Sequence, residues 1–237
     1  MALELAAMPG TGKSTVSRRI LARAIEYGVD INSPTRRQIQ RARVVTPVTR
    51  PRYWIGVNML IARSAYRNVP VRTTRSALHC AAKFRRRAGS FWRLDGSITA
   101  AHSIETPVFF EEGSLHQLWR LSHWDEHRYH DVTLRLAESS AVSRTVVALS
   151  VDTETALTRV RAKVKKGPIN LDLTRSEATS PMWVDGDATY RALLSVVERR
   201  PDCRLIKLTT QTPQDTDDAV DRIWELLCDP EFPQRQR

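Results

Sequence analysis

The sequence predicts an α/β fold, a five-stranded parallel doubly wound sheet between two layers of helices. Two observations predict it: a phosphate-binding loop of the P-loop type at residues 7–14, and short apolar runs that alternate with helical patterns along the 237 residues. A chain of this length can bury a sizeable core without disulfide bonds. We therefore expect a single domain over residues 1–230, with an Arg-rich helical insertion at 33–94 and a frayed tail at 231–237.

The first predicted elements are a strand, a loop and a helix. Residues 2–7 are an apolar run of strand length, and residues 15–25 repeat apolar side chains at helical spacing. Between these elements lies the stretch Ala7-Met8-Pro9-Gly10-Thr11-Gly12-Lys13-Ser14. It fits A-x-x-x-x-G-K-S, the P-loop pattern with alanine in its first position. A preceding strand and a following helix are the context that this motif requires, so we predict a nucleotide-binding site here.

The residue types of this loop suit a nucleoside triphosphate. Small residues let the backbone turn its N–H groups toward phosphate oxygens, and the following helix contributes the positive end of its dipole. Lys13 is expected to reach the β- and γ-phosphates, and the Ser14 hydroxyl to bind Mg²⁺. The other predicted nucleotide contacts come from Pro9, Gly10, Thr11, Gly12 and Thr15. The sequence contains no N-K-x-D guanine motif, which favours ATP over GTP.

Positive charge is concentrated in the segment 33–94. This segment contains 15 of the 37 Lys and Arg residues and no Asp or Glu, while the rest of the chain has 22 basic and 26 acidic residues. Arginine dominates, which suits bidentate recognition of phosphate or carboxylate groups. Three interpretations remain open: a pocket for an anionic small acceptor, a nucleic-acid surface in which aromatic side chains stack on bases, or a solvated helical face.

An acidic turn follows the next predicted strand, residues 106–110. Carboxylates at the carboxyl end of a central parallel strand face the crevice in which α/β proteins bind ligands. Glu111 and Glu112 occupy this position, and strand alternation would direct their side chains to opposite sides.

The second half of the chain supplies the remaining strands and helices. An apolar strand at 146–151 ends at Asp152, which we expect to cap a helix that begins at residue 153 and ends in basic residues. A further helix is predicted over 187–199, a last strand over 204–209, and a final helix capped by Thr216 or Asp217.

Three motifs together resemble those of bacterial P-loop kinases of the nucleoside/nucleotide kinase-like group. They are P-G-T-G-K-S-T at 9–15, V-F-F-E-E-G-S-L at 108–115, and V-V-A-L-S-V-D at 146–152 followed by Ala156 and Arg159. The resemblance implies the three-layer P-loop NTPase fold and transfer of the ATP γ-phosphoryl group. It also implies that the segment 33–94 is the acceptor flap and that 163–183 is a mobile segment similar to the LID of these kinases.

The resemblance also suggests catalytic roles. Glu111 would orient or deprotonate the acceptor hydroxyl, or hold a water bound to Mg²⁺. Arg159 matches the first LID arginine of the family, and Lys163 lies where a second cation is usual. Asn170 departs from the pattern, because an arginine is expected near that position.

These observations predict an ATP- and Mg²⁺-dependent kinase for a small, anionic acceptor. The alternative is a nucleic-acid-binding P-loop ATPase that uses the basic segment, or a polynucleotide 5′-kinase. The three cysteines are too few and too scattered for a disulfide framework or a zinc cluster. No apolar run approaches the roughly 20 residues of a membrane span, so we expect a cytoplasmic protein without membrane contact.

Overall fold

The computed structural model describes nearly all of the predicted sheet and most of the helices around it. The described residues are 2–34, 38, 55, 59, 92–101, 106–123, 130–139, 145–164 and 181–229. Most of the basic segment 33–94, most of the LID-like segment 163–183 including Asn170, and the tail 231–237 lie outside them. None of the described helices is both long and apolar enough to cross a membrane.

In the described part of the chain, four parallel strands form the sheet in the order β2-β1-β3-β4. Their bounds are Ala2–Ala7 for β1, Val108–Phe110 for β2, Thr145–Ser150 for β3 and Arg204–Thr209 for β4. All six residues of β1 are buried, because this strand lies between two others and has helices on both faces. The predicted parallel α/β architecture is therefore confirmed.

Helices α1 to α6, as far as the chain is described, surround the sheet. They are α1 (Lys13–Glu26), α2 (Ser114–His123), α3 (His130–Ser139), α4 (Thr153–Val164), α5 (Pro181–Glu198) and α6 (Pro213–Cys228). Residues 92–101 are also helical. Their buried Leu94 and Ile98 pack with Val108 and Phe110 of β2.

The alternation of side chains along β1 divides the core into two layers. Leu3, Leu5 and Ala7 point to one face, where they pack against α1 and α6. Glu4 and Ala6 point to the other face, where Ala6 belongs to a cluster with apolar residues of α2, α3, α4 and α5. Helices on both faces of the sheet give the predicted three-layer arrangement.

The prediction of five strands is wrong for the described part of the chain, which has four. The position beside β2 is occupied by Asn32, whose N–H donates to Pro107 O and whose carbonyl accepts from Phe109 N, each at 2.9 Å. A parallel ladder would next require an N–H at residue 34, and Pro34 has none. The pairing at this edge is therefore a single bridge.

Two predicted helix starts also differ from the structure. Helix α5 begins at Pro181 rather than 187 and runs through the buried Gly186, whose carbonyl accepts the Trp119 indole N–H at 2.8 Å. Helix α6 is capped by Thr212 and not by Thr216 or Asp217. Thr212 and Asp215 form a reciprocal capping box with a proline in the first turn.

Candidate functional site

The loop between β1 and α1 has the backbone conformation that its glycines predict. Gly10 and Gly12 adopt φ values of +85° and +87°, a region that favours glycine. Between them the buried Thr11 folds back, and its hydroxyl donates to the Met8 carbonyl at 2.9 Å. The Thr210 hydroxyl donates to the Thr11 carbonyl, which ties the loop to the end of β4. The loop is therefore held from both sides.

Helix α4 packs directly on this loop. A Cβ atom at Gly10 would lie 2.2 Å from the Ala156 carbonyl oxygen, so only glycine fits between the loop and the helix. A Cβ atom at Gly12 would be 3.9 Å from Nη1 of Arg159 and from the side chain of Thr210. Arg159 and the β4–α6 connection thus border the loop at its second glycine.

Lys13 is the first residue of α1, and its ammonium group lies in an unusual environment. Nζ is buried and has no hydrogen-bond partner among the described residues. Burial lowers the pKa of Lys13 below its ordinary value, whereas the carboxylates of Glu112 and Glu111 oppose the shift. Ser14 and Thr15, the other predicted ligands in this turn, are exposed. An orphaned buried cation beside a glycine loop suits a phosphate group.

The acidic turn predicted from the sequence lies near this cation. Glu111 and Glu112 are both partly buried in the bend between β2 and α2, and both act electrostatically on Lys13. Glu112 has the larger effect of the two, and its carboxylate is also 3.8 Å from the His116 imidazole. The expectation that the two side chains diverge rested on strand alternation, but β2 ends at Phe110 and the alternation does not extend into the bend. Their relative direction therefore stays a prediction.

Glu4 is a buried acid that the sequence reasoning missed. It lies in the middle of β1 with no exposed surface, and its carboxylate accepts hydrogen bonds from the Ser114 and Leu115 N–H groups and from the Ser114 hydroxyl. The feature of the sequence that could have indicated Glu4 is its charge within an otherwise apolar strand.

Arg159 is oriented by the protein backbone. Its Nη2 donates to the Gln211 carbonyl at 2.9 Å, close to the loop glycines. Lys163 lies in the exposed last turn of α4, one helical turn beyond Arg159. The structure thus brings Arg159 to the loop between β1 and α1, and the roles of Arg159 and Lys163 stay predictions.

Gln211 connects the start of α4 to the end of β4, a contact that the sequence does not reveal. Asp152 caps α4 as predicted, because its carboxylate accepts from the Thr155 N–H and hydroxyl, each at 2.8 Å. The Gln211 side chain accepts from the Asp152 N–H and donates to the Asp152 carboxylate and the Thr155 hydroxyl. The hydrogen bonds from Thr155 lower the pKa of Asp152. This network fixes the helix that carries Arg159.

Solved structures of a deoxyadenosine kinase share this fold. The M. mycoides enzyme with the products dCMP and a flexible dCDP bound has a TM-score of 0.51 at 14% sequence identity, over 96% of this chain and 98% of that chain. The same enzyme with bound dATP has a TM-score of 0.50 at 15% identity, over 94% and 99%. The expected resemblance to nucleoside/nucleotide kinase-like P-loop proteins is confirmed at the level of the fold.

No protein-family model matches the sequence, and no curated protein matches it.

Proposed function

We propose that this protein is a P-loop kinase that transfers the γ-phosphoryl group of ATP to a small acceptor. The observation that carries the proposal is the Lys13 ammonium, which is buried, has no hydrogen-bond partner in the described part of the chain, and lies next to a loop whose two glycines have positive φ. A buried cation without a partner costs stability, and binding an anion removes that cost. The surroundings of Lys13 fit the phosphates of a nucleotide.

The proposed roles follow the positions of the side chains. Lys13 would bind the β- and γ-phosphates with the loop residues from Pro9 to Gly12, and Ser14 would hold Mg²⁺ together with Glu111. Thr15 would add a second hydroxyl beside Ser14. When bound, Mg²⁺ would offset the negative charge of the phosphate oxygens.

The proposed acid–base and charge-stabilising groups are the two acids that act electrostatically on Lys13 and the two cations of α4, of which Arg159 lies beside Gly12. Glu111 would orient or deprotonate the acceptor hydroxyl, and Glu112 is a second candidate because its electrostatic effect on Lys13 is larger. Arg159 would stabilise charge on the transferred group, and Lys163 would assist it from the end of α4. Separate Glu111→Gln and Glu112→Gln variants distinguish the two carboxylates, since only the acting one is expected to lower turnover 10²-fold or more.

For the acceptor we propose a nucleoside, a nucleotide or another phosphorylated metabolite. The neighbours that share the fold are described as deoxyadenosine kinases with deoxynucleotides bound. The Arg-rich segment 33–94 supports an anionic acceptor, because arginine binds phosphate in a bidentate manner.

The test is ADP formation from Mg-ATP with a panel of acceptors. The panel contains nucleosides, nucleoside monophosphates, small alcohols and 5′-hydroxyl oligonucleotides, with Lys13→Ala as the blank. If one acceptor class stimulates ADP formation by the wild type and not by Lys13→Ala, the result supports the proposed kinase activity and identifies its class of substrate. Equal ATP binding by the wild type and Lys13→Ala would reject the P-loop assignment.

The nucleic-acid alternative has a separate readout. Stimulation by long nucleic acid without its phosphorylation, combined with binding that weakens steeply with salt, would support an ATPase. Weak binding that is insensitive to salt would count against it. The alternative depends on the segment 33–94, most of which lies outside the described residues, and no described contact favours it.

A further inference from the structure

Glu4 occupies a position where an apolar residue is the ordinary choice. It lies in β1, which pairs with β2 on one side and β3 on the other, and its side chain has no exposed surface. A central parallel strand with helices on both faces is normally apolar throughout. Burying a carboxylate is costly unless it is paired and hydrogen-bonded. Packing alone therefore does not explain the presence of a glutamate at this position.

The carboxylate of Glu4 is satisfied by the first turn of α2. It accepts from Ser114 N at 3.0 Å, from Ser114 Oγ at 3.0 Å and from Leu115 N at 3.2 Å. These N–H groups belong to the helix start, where no earlier carbonyl in the helix accepts them and where the dipole favours negative charge. The capping group of α2 thus comes from the sheet, 110 residues earlier in the sequence.

The residue before α2 is shaped to this contact. A Cβ atom at Gly113 would lie 2.3 Å from Cδ of Glu4, so the backbone of the turn rests directly on the carboxylate. Glu111 and Glu112 immediately precede this glycine. The hydrogen bonds of Glu4 therefore hold the chain two and three residues beyond Glu112, and Glu112 and Glu111 both act electrostatically on Lys13.

We propose that Glu4 is a positioning residue: it anchors the start of α2 to the central strand and thereby holds Glu111 and Glu112 toward Lys13. This inference rests on the proposed function, because it assigns Glu4 an effect on the Mg²⁺ and acceptor chemistry of those acids. Glu4, whose side chain is fully buried, would act through these acids and not by contact with substrate. A purely structural capping role would alter stability and leave the response to Mg²⁺ unchanged.

The first measurement is amide hydrogen exchange in the ligand-free protein. In Glu4→Gln, the Ser114 and Leu115 amides lose a charged acceptor, and we expect them to exchange about tenfold faster. Leu5→Val is the matched control, because it trims a buried side chain of the same strand that points to the opposite face. Exchange at these amides should be unchanged in the control.

The second measurement is the affinity of a fluorescent ATP analogue with EDTA and with Mg²⁺. In EDTA, we expect the affinity of Glu4→Gln for the analogue to be within twofold of the wild-type affinity. With Mg²⁺, we expect the increase in affinity to be about tenfold smaller in Glu4→Gln than in the wild type. Glu111→Gln should show the same pattern. Glu4→Leu, which places an apolar side chain in the buried strand, should reproduce the loss if Glu4→Gln folds poorly. Ser114→Ala, which keeps the N–H donors, should lose less.

The outcomes separate the two proposals. Unchanged exchange in Glu4→Gln would overturn the anchoring role, and faster exchange with a wild-type response to Mg²⁺ would overturn the positioning role. If Lys13→Ala bound the analogue as tightly as the wild type, the proposed function would fail, while the exchange result would still decide whether Glu4 anchors the turn.

Discussion

The Lys13 side chain illustrates how a residue proposed to bind a ligand can lower the stability of the free protein. Burial of its ammonium group lowers the pKa in the folded state below the ordinary value of 10.5. The unfolded chain therefore binds more protons than the folded chain between these two pKa values, and stability rises with pH across that interval. Below it, the protein carries the full cost of a buried charge.

Replacement of Lys13 by methionine is expected to stabilise the ligand-free protein at pH 7 by about 1 kcal/mol. The gain in stability should shrink as the pH rises toward 10.5, because the wild-type amine becomes neutral in the folded state within this interval and no buried charge then remains. Urea denaturation at several pH values measures the difference between the two proteins. Lys207→Met is the control: its ammonium is exposed and paired with Glu198, so its removal should change stability by less than about 0.5 kcal/mol.

Gly10 gives a second prediction at the scale of one residue. Gly10→Ala must accept a positive φ and also collide with the backbone of Ala156, so we expect a loss of about 3 kcal/mol or more. Gly28 also has a positive φ, +65°, but a Cβ atom there would have no neighbour within 4 Å. Gly28→Ala should therefore cost only about 1–2 kcal/mol of backbone strain. Equal losses of unfolding free energy in the two variants would contradict the close contact between loop and helix.

The structural elements depend on side-chain caps whose positions the sequence only partly indicates. Asp152 was predictable as a cap, because it directly follows an apolar strand and precedes a helical pattern. Thr212 was less evident, because Pro213 and the polar residues around it also resemble a loop. The capping box becomes recognisable only when Asp215 is seen to return a hydrogen bond to Thr212 N.

Thr212→Ala should therefore lower the free energy of unfolding by about 1 kcal/mol, as expected for the loss of an N-cap. Ser195→Ala in the last turn of α5 is the matched control, since its exposed hydroxyl bonds back to the Arg191 carbonyl of the same helix. We expect that substitution to change stability by less than about 0.5 kcal/mol. A similar effect of both substitutions in urea denaturation would argue against the capping box.

The contacts that join distant parts of the chain were beyond the reach of sequence patterns. Spacing identified the phosphate loop, the acidic turn and the helix of Arg159, because each is a local strand–loop–helix pattern. Glu4 bonds to Ser114, 110 residues away, and Gln211 bonds to Asp152, 59 residues away. A pattern of neighbouring residues does not indicate pairs that are so far apart in the sequence. The overprediction of a fifth strand has a local cause, the missing N–H of Pro34.

Nucleotide binding should stabilise the molecule as a whole if the proposed function is correct. At a ligand concentration 100 times its Kd, binding raises the free energy of unfolding by about 2.7 kcal/mol. For a domain of this size, that corresponds to an increase in Tm of roughly 5–10 °C. Differential scanning fluorimetry with Mg-ATP measures the shift, and Lys13→Met should abolish it. A shift of equal size in that variant would place the nucleotide elsewhere.

The single bridge at Asn32 also affects how readily copies of this chain can associate through the edge of the sheet. Strand edges with unpaired N–H and C=O groups can recruit strands from other molecules, the first step of edge-to-edge aggregation. Asn32 occupies the Pro107 carbonyl and the Phe109 N–H, the two groups at which a foreign strand would begin to pair with β2. Pro34, two residues later, cannot donate to extend the pairing of Asn32 along β2. Within the described residues, this border of the sheet is thus a short strand whose first pairing groups are already occupied, which leaves a strand from another copy few groups with which to pair.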